Sequence, residues 1–146
     1  MSAETAPVKR RTTRSPKIII NADHLAHIEG LAEGARHRNP ALSDRLLEEV
    51  GRAKIVPAAK MPKNVVSIGS TVTYRDEGTG HEKSATLVYP EDADISKLRI
   101  SVMTPIGVAL LGLAEGAGFY WDTRDNQRRT LTVIRVDQPD TDAENV

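Results

Sequence analysis

The run Ile100-Ser-Val-Met-Thr-Pro-Ile-Gly-Val-Ala-Leu-Leu-Gly-Leu113 constrains the fold more than any other part of the chain. Thr104 is an N-cap residue type, and Pro105 follows at the first helical position, where a missing N–H costs nothing. Ile106, Ala109, Leu110 and Leu113 then recur at helical spacing, and Gly112 or Gly116 can end the turn. The run predicts a strand, a capped helix start, one buried turn and a glycine stop. A short helix pressed onto a sheet is the expected product.

The rest of the chain supplies both partners. Asn21 or Asp23 can cap a helix that the periodicity of Leu25, Ile28, Leu31, Ala32 and Ala35 carries to about His37. Pro40 ends it or starts the next, where Leu42, Leu46, Leu47, Val50 and Ala53 repeat the helical face. Two short antiparallel helices follow, each about 20 Å long at 1.5 Å per residue. Val56 to Lys63 holds two prolines within six residues and reads as a linker. Val72 and Tyr74 then alternate with Thr71 and Thr73, Asp76 to Gly80 supplies a turn, and Ala85, Leu87 and Tyr89 alternate in a return strand. Leu98, Ile100 and Val102 predict a third strand, Phe119 to Trp121 a fourth and Leu131 to Val136 a fifth. The expected fold class is α+β: a short N-terminal antiparallel helical hairpin over 18–58, then an antiparallel sheet of five or six strands with one short helix over 64–136.

Charge and cysteine content narrow the function classes. Twenty basic residues balance twenty acidic ones across 146, so no global field draws the chain onto nucleic acid or membrane. The ends differ, however. Residues 1–17 carry Lys9, Arg10, Arg11, Arg14 and Lys17 against Glu4, and residues 137–146 carry Asp137, Asp140, Asp142 and Glu144. We expect both ends to be disordered tails, the basic one making at most weak, salt-dependent nucleic-acid contacts, because no aromatic residue interleaves with its cations. The absence of cysteine removes disulfides, thiolate metal sites and thiol nucleophiles. No apolar run approaches the roughly 20 residues of a membrane span, and the first seventeen lack the apolar middle of a secretory signal, so a cytoplasmic location is expected. His24 and His27 stand at a spacing that can share a metal, yet nothing in the sequence completes the ligand set; they read as a solvated helix face, with no metal or cofactor expected.

The Ile-Ser-x-x-Thr-Pro-Ile-x-x-Ala-Leu wording of Ile100 to Leu110, with the glycine-rich turn after it, resembles the C-terminal domain of the Gre-type bacterial transcription factors over roughly residues 64–136. The Pro-x-Gly-x-Ala-Leu-Leu-Gly-Leu wording and the short N-terminal half are most similar to the Rnk branch, the regulators of nucleoside diphosphate kinase. This resemblance implies an FKBP-like sheet domain, RNA polymerase as partner, and nucleoside diphosphate kinase as an alternative one. It also implies that Met103, Thr104 and Pro105 form the segment that leans on the polymerase at the rim of its secondary channel. Ile106, Ala109 and Leu110 are assigned to the core. Prolyl isomerisation, known on FKBP-type folds, needs a pocket walled by several aromatics, and this chain has five in all, three of them consecutive in one strand.

Gre cleavage factors hold a catalytic magnesium ion with two carboxylates at the tip of a long helical hairpin. Here the tip falls at Arg36, His37, Arg38 and Asn39, and no acidic residue occurs until Asp44. A hard dication needs oxygen ligands, and guanidinium groups repel it. Transcript cleavage is therefore not expected, and no catalytic residue is assigned.

Overall fold

The computed structural model describes residues 17–122 and 128–139, with backbone alone at 119–122 and 128. In chain order the elements are β1 (Ile19–Asn21), α1 (Ala22–Gly34), α2 (Pro40–Arg52), β2 (Lys54–Val56), β3 (Thr71–Asp76), β4 (Glu82–Val88), β5 (Arg99–Ser101), α3 (Pro105–Leu110), β6 (Gly118–Asp122) and β7 (Arg128–Asp137). Of the tails expected at 1–17 and 137–146, residues 1–16 and 140–146 lie outside the described residues, and Asp137 is the last residue of β7.

The hairpin forms for the reasons its sequence gives. Asn21 Oδ1 accepts from Asp23 N at 2.8 Å and Asn39 Oδ1 from Leu42 N at 3.3 Å, so an asparagine caps each helix. Ile28, Ala32 and Ala35 of the first arm meet Leu42, Leu46 and Val50 of the second, all buried. Near the tip the Ser43 hydroxyl donates to the Ala32 carbonyl at 2.7 Å, which satisfies a buried polar group and fastens one arm to the other. The first helix stops at Gly34 rather than His37, where the ladder tightens to i→i−3 bonds: the Ala35 N–H is shared with the Ala32 carbonyl and the Arg36 N–H donates to the Glu33 carbonyl.

A pairing that sequence periodicity did not predict closes the base of the hairpin. Ile19–Asn21, at the end of the apolar run, and Lys54–Val56, which leads into the proline-rich linker, pair as parallel strands, Ile19 with Lys54 and Ile20 with Ile55. This ribbon is tied to the other half of the chain where Ile19 N donates to the Gly112 carbonyl at 3.1 Å. Ile18 and Ile20, 3% and 2% exposed, enter the same hydrophobic cluster as Val66, Val72, Leu110 and Val133. Hairpin and sheet domain thus share one core.

The main sheet runs β5-β4-β3-β7-β6. The β3/β4 hairpin has the expected turn, with Val72 opposite Ala85 and Tyr74 opposite Lys83. The expected fully antiparallel sheet is corrected at one edge, since β5 pairs parallel to β4 and the sheet is mixed. Single 3-10 turns at Pro90–Asp92 and Ile95–Lys97 return the chain across the sheet end before it pairs. Three assignments change with it: Tyr89 lies beyond β4, Val102 lies beyond β5, and Leu98 adopts a left-handed φ of 59° before β5 and is 60% exposed. In β7 an extra residue beside Thr73/Tyr74 shifts the register, which lets Val133 and Val136, three apart, both face the core. α3 covers the middle of that inner face through Val108 and Leu110.

Candidate docking surface

Residues 101–105 build a rigid corner between β5 and α3. Val102 is fully buried, and its N–H donates to the Val88 carbonyl at 2.8 Å, which anchors the corner to β4. Met103 N donates to Ser101 Oγ at 2.8 Å. The Thr104 hydroxyl donates to the Ser101 carbonyl at 2.8 Å and accepts from Gly107 N at 3.0 Å, so it caps α3 while bracing the turn. Both capacities of that hydroxyl are occupied within the chain, and what reaches the surface is the exposed Pro105 ring beside half-buried Met103. The corner is tight enough to need Gly107: a Cβ there would stand 2.2 Å from the Ser101 carbonyl oxygen and 2.9 Å from Val102 Cα. Of the neighbouring positions assigned to the core, Leu110 is buried and Ile106 and Ala109 pack partly against it.

At the far end of the hairpin Arg36, His37, Arg38 and Asn39 are all exposed. Arg36 pairs with Glu33 at 2.9 Å, and the hydrogen bond it donates to that carboxylate raises the guanidinium's proton affinity. Arg38 donates to the Gly34 carbonyl at 3.0 Å, satisfying one of the free carbonyls at the end of α1. Asn39 is committed to capping α2. Residues 36–39 thus hold two guanidinium groups and no carboxylate of their own, the nearest one, Glu33, being paired with Arg36. It does not come together with the Met103–Pro105 corner in the manner of one pocket; they are separate surfaces.

The two α1 histidines do more than form a solvated face, although His27 is exposed and His24 only half-buried. His27 stacks on Tyr89 with ring centroids 3.8 Å apart, His24 meets the same ring edge-on at 6.4 Å, and His24 Nδ1 lies 3.3 Å from Ser67 Oγ. Burial lowers the proton affinity of His24, opposed by Asp23 and reinforced by His27. These rings join α1 to the sheet domain. Beside them runs a groove of about 510 Å³ lined by Asn21, His24, Lys63, Ser67 and Gln138. Gln138 is structural here, since its amide donates to the Lys63 and Val65 carbonyls and accepts from Ser70 Oγ at 2.7 Å. Sequence reasoning missed this junction, for which only the spacing of His24 and His27 gave a signal. Among the described residues no cluster of three or more His, Asp or Glu side chains is placed to hold a metal ion, and no helix is long and apolar enough to cross a membrane.

A mixed sheet carrying one short capped helix and a rigid Thr-Pro corner defines a class of domain, and the comparisons agree on which. The chain matches the family "Transcription elongation factor, GreA/GreB, C-term" over residues 61–138. Its N-terminal part matches the family "Rnk N-terminus" over residues 16–56. The "Regulator of nucleoside diphosphate kinase" of Escherichia coli (strain K12) is 34% identical over 126 residues, spanning 86% of this chain and 93% of that protein. Transcription elongation factor GreA of Brucella anthropi is 36% identical over 85 residues, 58% of this chain but 54% of that factor. Among solved structures, the prokaryotic transcription elongation factor GreA/GreB from Nitrosomonas europaea is similar at 35% identity and a TM-score of 0.67, covering 84% of this chain and 98% of that one. The chain carries a GreA/GreB-type C-terminal domain and belongs to the Rnk family. The named relatives are regulators and elongation factors.

Proposed function

We propose that this chain is a non-enzymatic transcription regulator of the bacterial cytoplasm. It binds RNA polymerase at the rim of the secondary channel through Met103, Thr104 and Pro105, and there competes with the longer Gre cleavage factors. The observation that carries this reading is the corner itself, in a domain of GreA/GreB type: its polar groups are used to hold its own shape, and an exposed proline with a neighbouring methionine is what it offers outward. Preorganisation of that kind lowers the ordering cost of association.

The hairpin supports binding without cleavage. Arms of 13 residues reach about 20 Å, and the tip displays Arg36, His37 and Arg38 where a magnesium site would need carboxylates. In a stalled elongation complex the protein is expected to add nothing to the polymerase's own RNA cleavage rate. Thr104 caps a helix, so docking is better tested at its neighbours. Met103→Glu combined with Pro105→Ala should weaken co-sedimentation with core polymerase at least about tenfold, while circular dichroism shows the fold retained. Unchanged binding by the folded variant would remove this corner from the interface.

A second reading rests on the 34% identity that spans 93% of a protein named regulator of nucleoside diphosphate kinase. Under it, purified kinase forms a complex with this chain that persists when polymerase is absent.

A further inference from the structure

Strand alternation marks a second place where the sheet domain is built for contact. In β3 the inward positions are Val72, Tyr74 and Asp76, all buried. On β4 that face continues through Ala85, opposite Val72, and Lys83, opposite Tyr74; on β7 it continues through Val133, opposite Tyr74, and Leu131, opposite Asp76, with Arg129 two residues further along the strand. An apolar face thus turns charged at one end, at Asp76, Lys83 and Arg129, where alternation alone calls for apolar side chains. α3 is six residues long, about 9 Å, and does not cover this end. Departures from an otherwise consistent pattern are where function is to be sought.

The charges there are unequally matched. Asp76 accepts from Arg129 and, at 2.8 Å, from Gly78 N, so its carboxylate is neutralised within the chain. The side chain of Lys83, opposite Tyr74, makes no hydrogen bond or ion pair among the described residues. It lies between two grooves that share it and Tyr74, one of about 320 Å³ reaching Ile95, Leu98 and Ile100, the other of about 210 Å³ reaching Arg129 and Ile106. Ile95 and Leu98 are 79% and 60% exposed. They are held outward by a turn in which Asp94 accepts from Ser96 N at 3.0 Å and from Arg99 N at 3.0 Å. An apolar strip thus ends in one uncompensated cation, and Ile106 joins it to the corner that begins at Met103.

We infer that this inner-face groove seats an amphipathic segment of RNA polymerase that carries an acidic side chain. Its apolar residues lie on Tyr74, Ile95 and Leu98, and its carboxylate meets Lys83. The inference rests on the polymerase reading above and adds to it a second contact and a charge requirement. Complementarity selects the occupant: an apolar segment alone would bury the Lys83 ammonium without a partner, and a basic one would be repelled.

The test measures the affinity of core RNA polymerase for the wild-type chain, Lys83→Glu, Lys83→Arg and Ile95→Ser at two salt concentrations. Sedimentation of each protein alone accompanies it. Lys83 and Ile95 are surface positions, so circular dichroism should show all variants folded. Lys83→Glu and Ile95→Ser should each bind about tenfold more weakly, Lys83→Arg should bind as wild type does, and the salt dependence should shrink in Lys83→Glu. Wild-type affinity in a folded Lys83→Glu would overturn the groove while leaving the polymerase reading in place. Failure of the wild-type chain to bind would overturn both. Self-association of the wild type that Ile95→Ser abolishes would mean a second copy fills the groove and would equally overturn the proposal.

Discussion

Two glycines of the same chain should respond in opposite ways to the same substitution. Gly107→Ala places a methyl 2.2 Å from the Ser101 carbonyl oxygen, so strand and helix must separate; we expect a loss of about 2–3 kcal/mol in urea unfolding. Gly30→Ala, in the α1 interior with nothing within 4 Å of the new methyl, should gain up to about 1 kcal/mol. A third residue sets a pH dependence. Burial holds His24 below its ordinary value of 6.5, so the folded state binds fewer protons than the unfolded one. Its contribution is fully present above the unfolded value and is lost as pH falls through the folded one. The denaturation midpoint should drop as pH falls below the ordinary imidazole value of 6.5, and His24→Gln should flatten that part of the profile. An equal slope in the variant would exclude His24 as the source. Thr104 and Pro105 were legible because helix capping leaves local marks in sequence, whereas the close approach that requires Gly107 shows only in the fold. The stacking of His27 on Tyr89 was not, since residues 62 positions apart in sequence meet only through the fold.

At the level of elements, the helical arms were read almost residue by residue, as Ile28, Ala32, Leu46 and Val50 show by their burial. The base of the hairpin was not. Three-residue strands carry too few side chains for alternation to register, and Ile18-Ile-Ile20 was visible only as an apolar run. The parallel placement of β5 was hidden for a related reason: Leu98 has the residue type of a strand, but its left-handed conformation belongs to the turn before it. The β1–β2 ribbon makes a further expectation. Gly112 has φ of 84°, and a Cβ there would come within 2.8 Å of Ile18 Cβ. Gly112→Ala should therefore loosen the ribbon from the sheet domain, with amide exchange in α1 and α2 rising more than in β3 and β7. Uniform change across the chain would contradict a selective anchor.

Considered whole, the chain joins a short cationic hairpin to a GreA/GreB-type domain through one continuous core, so the tip and the Thr-Pro corner are presented at a defined separation rather than on a flexible tether. Such an object fits a role in which occupancy, rather than chemistry, is the regulatory event. The proposed polymerase-docking role of the corner was legible only through resemblance, because its polar atoms describe a good helix start and nothing more. The most direct measurement is a competition: core RNA polymerase, this chain at micromolar concentration, and a Gre cleavage factor titrated against it, followed by size exclusion. The account predicts that the complex forms and that the cleavage factor displaces the chain from it. Simultaneous binding of both would contradict a shared site, and absence of any complex would contradict polymerase binding itself.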